Sequence, residues 1–135
     1  MSDSLFELVL LIDDSEIDNF VTKRIVVHSG FGKNIVIKDT VHDALLYLQD
    51  EKSNIEMVPD IIMLDINMPI QNGYAFLEEF EKLDEMVKNK SKIIIVSSSD
   101  EHEDLEKMFE NKRVFKYIVK PLTLAAMADL KQQLT

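Results

Sequence analysis

Apolar residues in this chain fall into two patterns that alternate along its length. Short compact runs occur at Leu8 to Ile12, Ile35 to Ile37, Ile61 to Leu64 and Ile93 to Val96, with a less regular one at Phe115 to Val119. Each has the length of a strand, and unbroken apolarity fits strands covered on both faces. Between them, apolar residues recur at helical spacing: Ile17, Phe20, Val21 and Ile25; Ala44, Leu45 and Leu48; Phe76, Leu77, Phe80 and Leu83; Leu105, Met108 and Phe109; Leu124, Met127, Leu130 and Leu134. The pattern predicts helices opening at Ser15, from His42 to about Gln49, from Tyr74 to about Val87, from Asp100 to about Glu110, and after Thr123.

The punctuation agrees with these boundaries. Ser15 is a cap-type residue with Asp18 three positions on, a loose capping box. Gly30 and Gly32 mark the end of the first helix, and Thr123 caps the last. A polar stretch from Asp50 to Val58 stops at Pro59, and Gly73 supplies a turn after the loop Ile66 to Asn72. Strands alternating with helices imply parallel pairing with helices on both faces. The expected fold is a three-layer, doubly wound α/β domain spanning 1–135. Its parallel sheet has five strands in the flavodoxin-like order 2-1-3-4-5, with five flanking helices.

Composition narrows the function classes. The chain has 135 residues and no cysteine, which excludes disulfides, thiolate metal ligands and a thiol nucleophile. A net charge of −10 disfavours a grip on nucleic-acid phosphates or anionic lipid. Glu7 interrupts the only apolar segment near the N-terminus, and no run approaches the roughly 20 residues that span a bilayer. The expectation is a cytoplasmic protein with no membrane insertion and no direct nucleic-acid partner.

In a parallel sheet every strand-to-helix boundary faces one rim, where ligands bind. That rim collects Asp13 and Asp14 from the first strand, Asp65 from the third, Ser97 from the fourth and Lys120 from the fifth. Singly these residues have ordinary readings: helix caps, a loop carboxylate, a strand-end hydroxyl, a solvated lysine. The arrival of all five, in order, at four strand ends is what carries information. Crowded carboxylates repel, and an oxygen-only donor set suits a hard cation such as Mg²⁺, which leaves coordination sites for phosphate. A hydroxyl and an ammonium suit phosphate oxygens. Together they describe a site for phosphoryl transfer onto Asp65 itself, giving an acyl phosphate. The three histidines lack metal-ligand spacing.

The segments Leu11 to Ser15, Asp60 to Pro69 with Gly73, Ile93 to Ser98, and Tyr117 to Pro121 resemble, in order and over nearly the whole chain, the receiver domain of two-component response regulators. The resemblance implies that Asp65 is the phosphoacceptor, that Asp14 ligates Mg²⁺ directly, and that Asp13 assists through water or as a second ligand. It implies the backbone carbonyl of Asn67 as a further metal ligand and a cis Lys120–Pro121 bond. Ser97 and Lys120 would hold phosphoryl oxygens, and Ser97 with Tyr117 would form the switch that alters a protein-binding surface. The implied donor is a phosphohistidine on a sensor histidine kinase or phosphotransfer protein, docking near Asp65 and the first helix. The implied reader is a downstream protein that contacts a stand-alone receiver, either a monomer or a phosphorylation-dependent dimer. Of Ile17, Phe20 and Val21, one would serve the docking contact and most would be core.

Two departures stand out. Ser97 replaces the commoner threonine, and the segment Glu110 to Val114 lacks the small turn many members carry. The competing readings are a Mg²⁺-dependent aspartyl-phosphate phosphatase and a silent receiver used for binding. The phosphatase needs a carboxylic acid two residues after the nucleophile, where this chain has Asn67. Neither a dinucleotide fingerprint nor a P-loop can be written with three glycines.

Overall fold

A computed structural model describes residues 4–50, 55–66, 73–98 and 112–134. The elements are β1 (Phe6–Ile12), α1 (Glu16–His28), β2 (Gly32–Lys38), α2 (Val41–Asp50), a 3-10 turn at Ile55–Met57, β3 (Ile61–Leu64), α3 (Gly73–Phe80), α4 (Glu85–Lys90), β4 (Lys92–Ser97), β5 (Val114–Val119) and α5 (Leu124–Leu134). All strand pairs are parallel, in the order β2-β1-β3-β4-β5. The expected fold class and strand order are therefore found.

Strand alternation builds the two cores. Leu10, Ile12, Ile62, Leu64, Ile93 and Ile95 point to one face, where Ala44, Leu48, Phe76, Phe80 and Val87 of α2, α3 and α4 cover them. Val9, Leu11, Ile61, Met63, Ile94 and Val96 point to the other, under Val26 of α1 and Met127 and Leu130 of α5. Both faces of β3 are fully covered, which is why its sequence carries no polar alternation.

Local chemistry sets the helix ends. Ser15 Oγ accepts the Asp18 N–H at 3.2 Å, Thr40 Oγ1 accepts from Asp43 at 3.0 Å, and Thr123 Oγ1 accepts from Ala126 at 3.1 Å. At the end of α1, Gly30 has φ of +76°. Its N–H donates to Val27 O while Phe31 N–H donates to Val26 O. That is a Schellman closure, with Phe31 buried against Val26 as its apolar contact.

Several expectations need correcting. Gly32 does not end α1 but begins β2, where a Cβ would lie 2.6 Å from Val9 Cγ2; the strand needs glycine for close approach to its neighbour. The helix expected from Tyr74 to about Val87 is two pieces. Lys82 and Leu83 N–H groups donate three residues back, to Glu79 and Phe80, which tightens and ends α3. Asp84 then takes an extended conformation as the cap of α4.

The largest correction concerns α1. Ile17, Phe20 and Val21 are all exposed, at 76%, 60% and 44%, whereas Asn19 and Val26 are the buried positions. The helix carries two stripes of helical spacing, and the one with an asparagine in it faces the sheet. The expected helix Asp100 to Glu110 lies outside the described residues, as does Asn67.

Candidate functional site

The rim at the carboxyl ends of the strands brings Asp13, Asp14, Asp65 and Lys120 together. Backbone bonds fix their heights: Asp13 N–H donates to Lys38 O, Asp65 N–H to Ile12 O, and Lys120 N–H to Ser97 O at 2.8 Å. Each group thus sits one step beyond the ladder of the adjacent strand. Ligand oxygens of Asp13, Asp14 and Asp65 lie within 4.8 Å of one another. Asp13 and Asp65 are buried and Asp14 is exposed. Asp14 also lines an open hollow of about 640 Å³ with Asn19, Lys38 and Asp39, so this edge of the cluster is open to water.

Lys120 closes the other side. Its Nζ donates to Asp13 Oδ2 at 2.7 Å and to Asp18 Oδ2 at 2.8 Å, and lies 3.6 Å from Asp65 Oδ2. Burial alone would pull this ammonium's pKa down. The hydrogen bonds to Asp13 and Asp18, with the charges of Asp13 and Asp65, instead hold it above the ordinary lysine value. Asp13 is the opposite case. Burial raises its carboxyl above the ordinary aspartate range, with repulsion from Asp65 adding to it, despite the hydrogen bonds from Lys120 and the Ser15 N–H. Burial, with a smaller contribution from Asp65, therefore disfavours the charged form of Asp13, and a bound cation would favour it. The Lys120–Pro121 peptide is cis, as the resemblance implies.

Ser97 is fully buried at the end of β4. By alternation it shares a sheet face with Ile95, whose neighbour across the ladder is Tyr117. Tyr117 is only 8% exposed and packs in the α2–α3–α4 core layer, so both residues belong to one side of the sheet. Between Ile93 and Ile94 the partner strand β5 advances two residues, from Val114 to Lys116. Phe115 is thus an extra residue, bulged outward and 40% exposed.

Two residues of the site escaped the sequence reading. Asp18 was assigned to a capping box, but the reciprocal half of that box is not made. The Ser15 N–H donates to Asp13 Oδ1 at 3.0 Å, and the Asp18 carboxylate goes to Lys120. Asn19 is buried and donates to the Asp13 carbonyl at 2.8 Å, fixing the turn between β1 and α1. A polar residue seven positions before Val26, on the same helical stripe, was the available signal.

Comparison with known proteins places this geometry. A family model for the response regulator receiver domain matches residues 9–132. A crystal structure of a two-component response regulator from Cytophaga hutchinsonii is 32% identical, with a TM-score of 0.86, and the match covers 95% of this chain and 96% of that one. A probable methanogenesis regulatory protein of Methanothrix harundinacea is 23% identical over 93% of this chain and 77% of its own length. A two-component response regulator of rice is 27% identical over 84% of this chain, which spans only 49% of that longer protein. No helix among the described residues is long and apolar enough to cross a membrane. With the family model covering nearly all of it, this chain belongs to the response regulator receiver domain family of two-component signalling.

Proposed function

We propose that the chain accepts a phosphoryl group on Asp65 from a phosphohistidine of a sensor histidine kinase or phosphotransfer protein, with Mg²⁺ held by Asp13, Asp14 and Asp65. The observation that carries this reading is the convergence of three carboxylates within 4.8 Å, with the Lys120 ammonium 3.6 Å from Asp65. All the donors are oxygens, and Asp14 faces water, so one or two carboxylates and several waters satisfy what Mg²⁺ requires. The cation supplies charge neutralisation at the transferred phosphoryl oxygens.

The chain's own residues do the rest. An Asp65 carboxylate oxygen attacks phosphorus; the P–N bond to the donor imidazole breaks, and the imidazole nitrogen keeps that electron pair and takes a proton. Lys120 offers an N–H to one phosphoryl oxygen and Ser97 a hydroxyl to another. Uptake replaces a monoanion by a dianion at the rim where Ser97 ends β4. Ser97 and Tyr117 lie on one face of the sheet, which supports a coupled rearrangement that a downstream protein reads. The cytoplasm is the compartment in which such a donor is found.

The test is incubation with acetyl phosphate and MgCl₂ followed by intact-protein mass spectrometry. One added phosphoryl group that requires the divalent cation is expected. No uptake by a folded protein would overturn the reading.

A further inference from the structure

We propose that Asp18 is a positioning residue that holds the Lys120 ammonium back from Asp65 and so restrains phosphoryl uptake; the inference rests on Asp65 being the acceptor. Lys120 has three N–H donors. Two are committed, at 2.7 Å to Asp13 and 2.8 Å to Asp18, while Asp65 at 3.6 Å is beyond hydrogen-bond reach. The lysine that should meet a phosphoryl group on Asp65 is therefore tied to two other acids.

These two acids are not equivalent. Asp13 belongs to the carboxylate cluster that suits a cation, so its oxygens have competing uses. Asp18 stands outside that cluster, and its hold on Lys120 survives when the cluster is filled. Its carboxylate is available because Ser15 N–H is satisfied by Asp13 Oδ1 rather than by Asp18. Its side chain is 44% exposed against 10% for Asp13, so water readily replaces its contact. For the remaining N–H of Lys120 to reach a phosphoryl oxygen on Asp65, the ammonium must swing away from Asp18 and give up or lengthen that contact.

Charge acts in the same direction. Asp18 adds a carboxylate beside an acceptor that goes from monoanion to dianion, and the incoming donor is itself anionic. Both effects make Asp18 oppose the phosphorylated state. Removing its charge is worth about fivefold in uptake rate, the size expected of a half-exposed ion pair. Salt screens that advantage.

The experiment measures the second-order rate of uptake from acetyl phosphate by intact mass, for the full chain and for Asp18→Asn and Asp18→Glu. MgCl₂ is titrated, and each rate is taken at low and high potassium chloride. Expected are a roughly fivefold acceleration in Asp18→Asn that shrinks at high salt, an unchanged Mg²⁺ half-saturation, and a wild-type rate in Asp18→Glu. A rate in Asp18→Asn equal to or below wild type overturns the proposal. So does an acceleration that salt does not reduce, a shifted Mg²⁺ half-saturation, or one that Asp18→Glu shares. If the wild-type chain itself takes up no phosphoryl group, the acceptor reading has failed as well, and the two failures are distinguished.

Discussion

Lys120 donates to Asp13 Oδ2 at 2.7 Å across 107 residues of sequence, joining the end of β1 to the end of β5. The contact ties together strands that are not neighbours, because β3 and β4 lie between them. It also sets a cation against one of two buried carboxylates whose like charges lie close together. In the absence of divalent cations, Lys120→Met should lose about 3 kcal/mol of stability in urea unfolding, the cost of removing the ammonium that faces these buried acids. Added Mg²⁺ should recover part of that loss. A variant as stable as wild type without cations would mean the pair is already screened by water.

Asp13 gives a pH prediction. Its folded carboxyl has a raised pKa, chiefly from burial, so the folded state holds this proton more tightly than the unfolded chain does. The stability that Asp13 contributes is complete below the unfolded value of 3.8 and is lost as pH rises through the folded one. Cation-free Asp13→Asn, a neutral mimic, should therefore melt higher at neutral pH, by roughly 3 °C. The difference should narrow as the pH is lowered toward the unfolded value. A gap that widened on acidification would contradict the assignment.

Gly73 lies against the residue that follows Asp65. A Cβ there would fall 2.6 Å from Ile66 Cγ2 and 2.8 Å from its Cα, and the Gly73 N–H donates to the Ile66 carbonyl. The second contact is with backbone, which has no rotamer to escape into. Gly73→Ala should cost about 2 kcal/mol in chemical denaturation. It should also slow phosphoryl uptake, since relief requires moving Ile66 beside the acceptor.

The outward stripe of α1 separates packing from docking. Ile17→Ser and Phe20→Ser should each change stability by no more than about 0.5 kcal/mol, because both side chains are largely exposed. Val26→Ala, fully buried on the same helix, should cost about 2 kcal/mol. Equal costs at the three positions, read by thermal unfolding, would mean the helix is rotated from the orientation found here.

The sequence carried the sheet clearly because β1, β3 and β4 are apolar on both faces, leaving no other element of that length to assign. It carried Asp13, Asp14, Asp65, Ser97 and Lys120 because parallel strands deliver all their ends to one rim. What it hid was orientation and long-range pairing. Helical spacing in α1 fits two stripes, and only the sheet beneath selects the one with Asn19 and Val26. The partner of Asp18 lies 102 residues away, so a local capping motif was the natural assignment. The break between α3 and α4 has neither glycine nor proline to announce it, and Asp84 was the sole cue.

The central claim is that Asp65 is the residue phosphorylated. Borohydride reduction of the protein after treatment with acetyl phosphate and MgCl₂ converts an aspartyl phosphate to homoserine, which peptide mass spectrometry locates. The account predicts homoserine at position 65 alone, and none in Asp65→Asn. Homoserine at position 13, 14 or 18, or a phosphate on Ser97, would contradict it.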